Sequence, residues 1–445
     1  MSTVLKGFFA DKSSVFLQKR FNFLVIVAVL LTTLFGWFNP NSWVIILLAA
    51  CRLLDGNPVE RVKTVFSNRL FLVYFVFFLI DAAGYLHTHN FSTQGKVLAK
   101  EATLVAIAFV FCAGPFADQR TYRQLITAYS LLLLGASVYC LAVATRAYLS
   151  TRDADVFFYH TLTAPISQNA VFFSVYVLSG IIFLLSSGGE PAIGGLSPAG
   201  RKVLRYALVC FFVGIMVLLS SRLLLVMMLL ILINIFARRY SYRKNKRALL
   251  IVASVILLAV SLLALVNNPI RNRFREATDG NIALVRQDSF RSYMHFSSTE
   301  LRLLQWRFAL EILNTRHAWL FGVSPGDSQD LLDQKYIGAN MYVGNPADGP
   351  NRHFRGFLGF NFHNQYLETL VRSGLVGLSS LVVLFAVLFR QAWRSEIKEA
   401  WFIVLTIAIF FIPEAPLTMQ SGVFLFCFFP LLALNRPGAV KNGNL

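Results

Sequence analysis

Twelve apolar runs set the terms for this chain. They lie at roughly 21–37, 42–54, 69–86, 97–114, 121–148, 167–187, 203–219, 223–236, 248–266, 374–389, 400–412 and 417–434. In a hydrocarbon core about 30 Å thick every backbone polar group needs an internal partner, so runs of this length are read as helices. They lack the alternating ten-residue pattern of an outer-membrane barrel. With 56% hydrophobic and 14% charged residues and a mean hydropathy of +0.60, the chain reads as an all-α polytopic membrane protein of about 12 transmembrane helices. Runs 42–54 and 400–412 are the weakest and imply broken or partly inserted helices. Phe21 to Trp37 lacks a small-residue cleavage site and reads as an anchor rather than a signal peptide.

A net charge of +19 would point to nucleic acid in a soluble protein. Here the positive-inside rule accounts for it, and no nucleic-acid partner is expected. With the N-terminus in the cytoplasm, the inner segments hold 24 Lys and Arg. The short outer loops hold four: Lys96, Arg146, Arg152 and Arg222. That bias predicts both termini in the cytoplasm. The long segment from Asn267 to Phe362 then falls outside, between helices 9 and 10, where long loops translocate regardless of charge. The expected organisation is 1–266 with helices 1–9, 267–362 as the large periplasmic loop, and 363–445 with an amphipathic helix and helices 10–12.

Within the loop, Ser297 and Glu300 have the spacing of a capping box. Leu301, Leu304, Phe308 and Leu313 follow as an apolar helical stripe. Gly322 to Gly359, rich in Gly, Pro, Asn and Asp, reads as irregular loop. The five cysteines sit in or beside apolar runs without metal-ligand spacing and read as small buried hydrophobes.

Several polar residues stand out against this background. Ser220-Ser221-Arg222 interrupts an apolar stretch too long for one span, which puts an arginine at an outer turn or at membrane depth. Such an arginine is either a snorkelling side chain or an anion ligand, since its planar fork suits phosphate. Arg302, on the flank of the loop helix beside Trp306 and Arg307, is a second candidate against a solvated surface charge. Arg271, Arg273, Arg275, Arg286 and Arg291 crowd the same loop, nearly balanced by its acids. His363 lies between two asparagines in Asn361-Phe362-His363-Asn364-Gln365, at the head of a membrane-entering helix. Imidazole titrates near neutrality, so it suits a general base, although a lone histidine is more often structural.

Glu414, between Pro413 and Pro416 at an outer turn, is an acid able to hold an arginine or a sugar hydroxyl. His87 and His89 have metal-like spacing but no Cys, Asp or Glu nearby, and Asp153 with Asp155 resemble a divalent-ion pair but are two acids in a solvated loop, so no metal is expected. No phosphate-cradling glycine loop, dinucleotide fingerprint or nucleotide-sugar domain is present. Any reaction must therefore run on an already activated substrate, with no cofactor.

Taken in order, Ser221-Arg222, Arg302-Leu303-Leu304-Gln305-Trp306, His363-Asn364-Gln365-Tyr366-Leu367, Gly374-Leu375-Val376-Gly377-Leu378 and Pro413-Glu414-Ala415-Pro416 resemble the O-antigen ligase and O-antigen polymerase superfamily. The resemblance implies a membrane-embedded glycosyltransferase of GT-C type in a Gram-negative inner membrane. It would take glycan from undecaprenyl diphosphate at the periplasmic face. A ligase passes the glycan to lipid A–core; a polymerase joins it to another lipid-linked repeat unit. Ligase is favoured here.

The resemblance further implies Arg222 and Arg302 as diphosphate ligands and His363 as the base. Asn364 and Glu414 are further candidates to touch substrate. The family often has glycine after the serine–arginine pair, where this chain has Leu223. Two other classes compete. An anionic-lipid transporter would tolerate loss of His363, and an assembly scaffold would depend on no single polar residue.

Overall fold

The computed structural model describes residues 12–186, 189–239, 282–344, 356–395 and 397–437. The expected span 248–266 and the loop arginines Arg271, Arg273 and Arg275 lie outside the described residues.

In chain order the described helices are α1 (Lys12–Leu34), α2 (Phe38–Leu54), α3 (Pro58–Ser67), α4 (Arg69–Ala82), α5 (Phe91–Cys112), α6 (Gln119–Thr151), α7 (Tyr159–Thr163), α8 (Ala170–Leu185), α9 (Pro198–Leu219), α10 (Arg222–Arg239), α11 (Ser298–Thr315), α12 (Ser328–Gly338), α13 (Gln365–Arg394), α14 (Lys398–Phe410) and α15 (Gln420–Leu434). Among the described residues four spans are long and apolar enough to cross a membrane: Arg69–Leu86, α6, α9 and α13. The number is six if each of two bent pairs counts as one span. One pair, α2 with α3, is bent by 106°, so run 42–54 forms a continuous helix that ends at a sharp bend. The other bends by 81° between Tyr159–Ile166 and α8, a break that the continuous run 167–187 did not announce. Among the described residues the protein is a helical membrane protein without strands, and the full count of twelve remains an expectation.

The helix buried on every side is α15, in which each residue from Gln420 to Leu434 is shielded from solvent. A helix apolar all round belongs in an interior. Pro430 lacks an N–H, so the carbonyl of Phe426 four residues earlier loses its helical partner. The Tyr74 hydroxyl of α4 donates to that carbonyl at 3.1 Å, so the proline sits in the interior without an orphaned acceptor.

Residues 282–371 carry a second apolar core of their own. The capping box at the start of α11 forms as its spacing predicts. Ser297 N–H donates to Glu300 Oε2 at 2.6 Å, and Glu300 N–H donates to Ser297 Oγ at 3.2 Å. Leu304, Phe308 and Leu313 are buried, with Leu301 packed at the edge. The expected irregular loop Gly322–Gly359 contains α12 instead. Leu332 and Tyr336 fall one turn apart and bury against α11, and burying a large apolar side chain contributes about 1.5–3 kcal/mol. Flanking Gly, Pro and Asp hid an eleven-residue helix. This core runs past Phe362 to Leu370 and Val371, so the head of α13 packs with the loop.

At Gly374 the chain of α13 breaks, with φ 64° and ψ −162°, which only glycine adopts without strain. An unbroken helix would pair Leu375 N–H with Val371 C=O and Val376 N–H with Arg372 C=O. The loop segment supplies all four partners instead. Leu375 and Val376 donate to the carbonyls of Trp319 and Leu320 at 2.8 and 3.2 Å. Val323 and Ser324 donate to Val371 and Arg372 at 2.8 and 3.0 Å. Gly322, at φ 73°, completes the fit, because a Cβ there would strike the Arg372 carbonyl. A second clamp is Asp327, whose carboxylate accepts from the backbone N–H groups of His89 and Asn90. The loop is thus fastened to both α13 and the α4–α5 connection.

Candidate active site

The break at Ser220-Ser221-Arg222 is where the sequence places it. Ser220 takes a left-handed conformation, φ 52°, and ends α9; Arg222 is the first residue of α10. The turn is made before the arginine, so Leu223 in place of glycine is already helical and needs no special conformation. Arg222 Nη2 donates to Ser298 Oγ at 3.1 Å, tying the membrane helices to the start of α11.

One turn along α11, Arg302 reaches the opposite wall. Its Nε donates to the Pro413 carbonyl at 3.0 Å and its Nη2 to Glu414 Oε1 at 2.9 Å. The other carboxylate oxygen, Oε2, lies 3.3 Å from His363 Nδ1. One acid therefore bridges the arginine and the histidine that the sequence singles out. Glu414 is nearly buried, with its side chain 9% exposed, whereas Arg302 and His363 remain 23% and 28% exposed. Burial alone would push the Glu414 carboxyl up. The hydrogen bond and charge of His363, together with Arg302, outweigh burial and hold it below the ordinary carboxylate range. An ionised carboxylate only accepts, so this contact is a hydrogen bond when Nδ1 carries the proton; in the neutral imidazole that tautomer has Nε2 as its basic nitrogen.

Gln365, which sequence reasoning missed, is what brings Glu414 to the histidine. Its N–H donates to the Phe411 and Glu414 carbonyls at 2.8 and 3.0 Å, and its side-chain oxygen accepts from Leu417 N–H at 2.8 Å. The α14–α15 turn is thereby docked on the head of α13. His363 itself is held at φ 45° by a turn in which its N–H donates to Asn361 Oδ1 at 2.9 Å. Histidine tolerates this region better than most residues. Asn364 is committed to the fold: its Oδ1 accepts from Leu367 N–H at 3.0 Å and caps α13.

Arg222, Arg302 and Glu414 line one cavity of about 300 Å³ with Tyr159, Ser221 and Ser298. His363 is not in its wall; it joins the cavity through Glu414. The metal-like pairs lie elsewhere: His89 is engaged with Asp327, and Asp153 caps an exposed turn through Asp155 N–H. Chemically, the cavity offers guanidinium donors for an anion and, beside it, an imidazole oriented by a carboxylate.

A second charged cluster, also missed, is sealed inside. Arg372 Nε pairs with Glu368 Oε1 at 2.8 Å and Nη1 with Glu101 Oε1 at 3.3 Å, while Ser373 Oγ donates to Asp81. Asp81, Glu101 and Glu368 are at most 2% exposed and Arg372 is 6% exposed. The signal was in the sequence: Asp81 and Glu101 are acids inside apolar runs, and intramembrane charges require partners.

Fold and site together define a class: a helical membrane protein with a cavity of mixed apolar and polar lining that contains two arginines, against a histidine–carboxylate pair. Residues 206–382 match the family model described as O-antigen ligase, which supports the O-antigen ligase and polymerase superfamily, a family of glycosyltransferase-like enzymes. The matched stretch contains Arg222, Arg302, His363 and Asn364; Glu414 lies beyond it. No curated protein matches the chain.

Proposed function

We propose that the protein is a GT-C-type glycosyltransferase that moves O-antigen glycan from undecaprenyl diphosphate to lipid A–core, without metal or nucleotide. In this reading it has twelve spans, lies in a Gram-negative inner membrane with both termini cytoplasmic, and works at the periplasmic face under the 267–362 loop. The observation that carries the reading is the Glu414 carboxylate, shared between Arg302 and His363 at the edge of the Arg222 cavity.

The chemistry follows from those groups. His363 Nε2 takes the proton of an acceptor hydroxyl as its oxygen bonds to the anomeric carbon of the donor sugar. The bond from that carbon to the phosphate oxygen breaks, and undecaprenyl diphosphate departs with the electron pair. Arg222 and Arg302 stabilise the departing charge. Glu414 stabilises the imidazolium that forms, which then loses its proton to water.

A polymerase would use the same donor and base and differ only in its acceptor. A lipopolysaccharide gel from a deletion strain separates the two. Core without O-antigen identifies a ligase, core with one repeat unit identifies a polymerase, and an unchanged ladder rejects both.

A further inference from the structure

The segment that repairs the Gly374 break carries an apolar tip in the open. Trp319, Leu320 and Phe321 are 39%, 53% and 64% exposed, three in a row, on a loop whose other exposed large apolar side chains, Tyr293, Leu310 and Ile337 among them, stand singly. Three consecutive exposed apolar residues in water are costly and mark a contact surface. Their position says what the contact is. The carbonyls of Trp319 and Leu320 are bonded to Leu375 and Val376, the first residues of α13 beyond its break. Those two side chains are exposed as well, and the outward face continues through Val382 and Val383 along the membrane-crossing part of the helix. The tip therefore extends the face that α13 turns to lipid.

The chemistry of the tip suits that surface. Non-helical backbone at membrane depth must have its polar groups satisfied, and the bonds to α13 occupy two tip carbonyls, while Gly322 N–H donates to Ala318 C=O at 2.8 Å. Trp319 combines an apolar ring with an Nε1–H that donates to Asn314 Oδ1 at 2.9 Å, the arrangement favoured at membrane–water interfaces. Arg316 and His317, both exposed, precede the tip at the position of lipid headgroups.

We infer that Trp319-Leu320-Phe321 is immersed in the acyl region of the leaflet next to the loop. It fastens the loop to the bilayer beside α13, so that the loop moves with the lipid surface rather than above it. This rests on the membrane character of α13 and not on the proposed reaction.

The test uses the full chain in vesicles of phosphatidylethanolamine and phosphatidylglycerol. Phe321→p-benzoylphenylalanine is irradiated and the intact protein weighed, alongside the same substitution at Val382 and at exposed Tyr293 of the same loop. The expected result is a phospholipid adduct at position 321, comparable to position 382 and several-fold above position 293. Crosslinking to a second copy or to a copurifying protein, or a lipid adduct no higher than at position 293, overturns the inference. Trp319→Phe gives an independent reading. It should remove part of the fluorescence that acyl-brominated lipids quench, and an unchanged quenchable fraction also overturns it.

Discussion

The molecule holds two clusters built around an arginine and its carboxylate partners, with opposite settings. Around Glu414, an arginine and a histidine meet one acid at the wall of a cavity, and two of the three stay partly exposed. Around Arg372, two acids pair with one arginine and a third, Asp81, accepts from Ser373 beside it, in a site closed to solvent. Charges sealed in a low-dielectric interior need one another, so the second cluster fixes helices α4, α5 and α13 in place. Charges beside a cavity can exchange one partner for a ligand. The lesson is that access, rather than charge, separates the candidate chemistry from the scaffold. Each substitution below breaks or sharpens that contrast.

The largest effect is expected from Arg372→Leu. It strands Glu101 and Glu368 without their cation and should cost about 3–5 kcal/mol, the range for breaking a buried pair. Size-exclusion and thermal unfolding in detergent should show little monodisperse protein. A variant as stable as wild type would mean that the cluster is not sealed.

Next, Glu414→Gln should leave the protein folded but slow transfer by about 10²-fold, because a neutral amide neither fixes the tautomer of His363 nor stabilises its imidazolium. The same variant has a pH signature. The Glu414 carboxyl is held below its ordinary range in the folded protein. Its contribution to stability is therefore complete above the ordinary carboxylate range and lost as pH falls through the depressed value. Thermal unfolding against pH should show that acid-side loss in wild type and a flatter curve in Glu414→Gln. Identical curves would remove the ionised bridge.

Arg222→Lys comes third. It keeps the charge and loses the paired donors, so transfer should fall by about 10-fold or more while folding is unchanged. Full activity would reduce Arg222 to a simple positive charge.

Smallest is Asn364→Ala, which removes a helix cap and should cost about 1 kcal/mol of stability. Asn364→Ser keeps a capping oxygen and should restore most of it. A serine variant that is stable but inactive would instead return Asn364 to the substrate side.

Much of this was legible in the sequence, for identifiable reasons. The Ser297 capping box and the turn before Arg222 are local signals and appear where the residues put them. Arg222, Arg302 and Glu414 share a cavity as residues singled out by chemistry, but nothing local says that one acid would hold both Arg302 and His363. That depends on Gln365 docking the α14–α15 turn, a contact across 49 residues of chain to Glu414. Helix α12 was hidden by the Gly, Pro and Asp around it, since its stability comes from burying Leu332 and Tyr336 against α11. The Gly374 break looked like an ordinary glycine in an amphipathic helix. Its partner, the loop segment around Gly322, lies about fifty residues upstream, beyond the reach of any periodicity.

The central claim is that His363, oriented by Glu414, takes the proton of the acceptor hydroxyl. His363→Gln retains a hydrogen-bonding side chain that cannot accept a proton near neutrality. The measurement is transfer from purified undecaprenyl-diphosphate glycan to lipid A–core, with donor binding followed in parallel. The account predicts normal insertion, donor binding retained through Arg222 and Arg302, and transfer slower by at least about 10²-fold. Near-normal turnover in the glutamine variant would contradict it and leave His363 as a residue that only orients the acceptor.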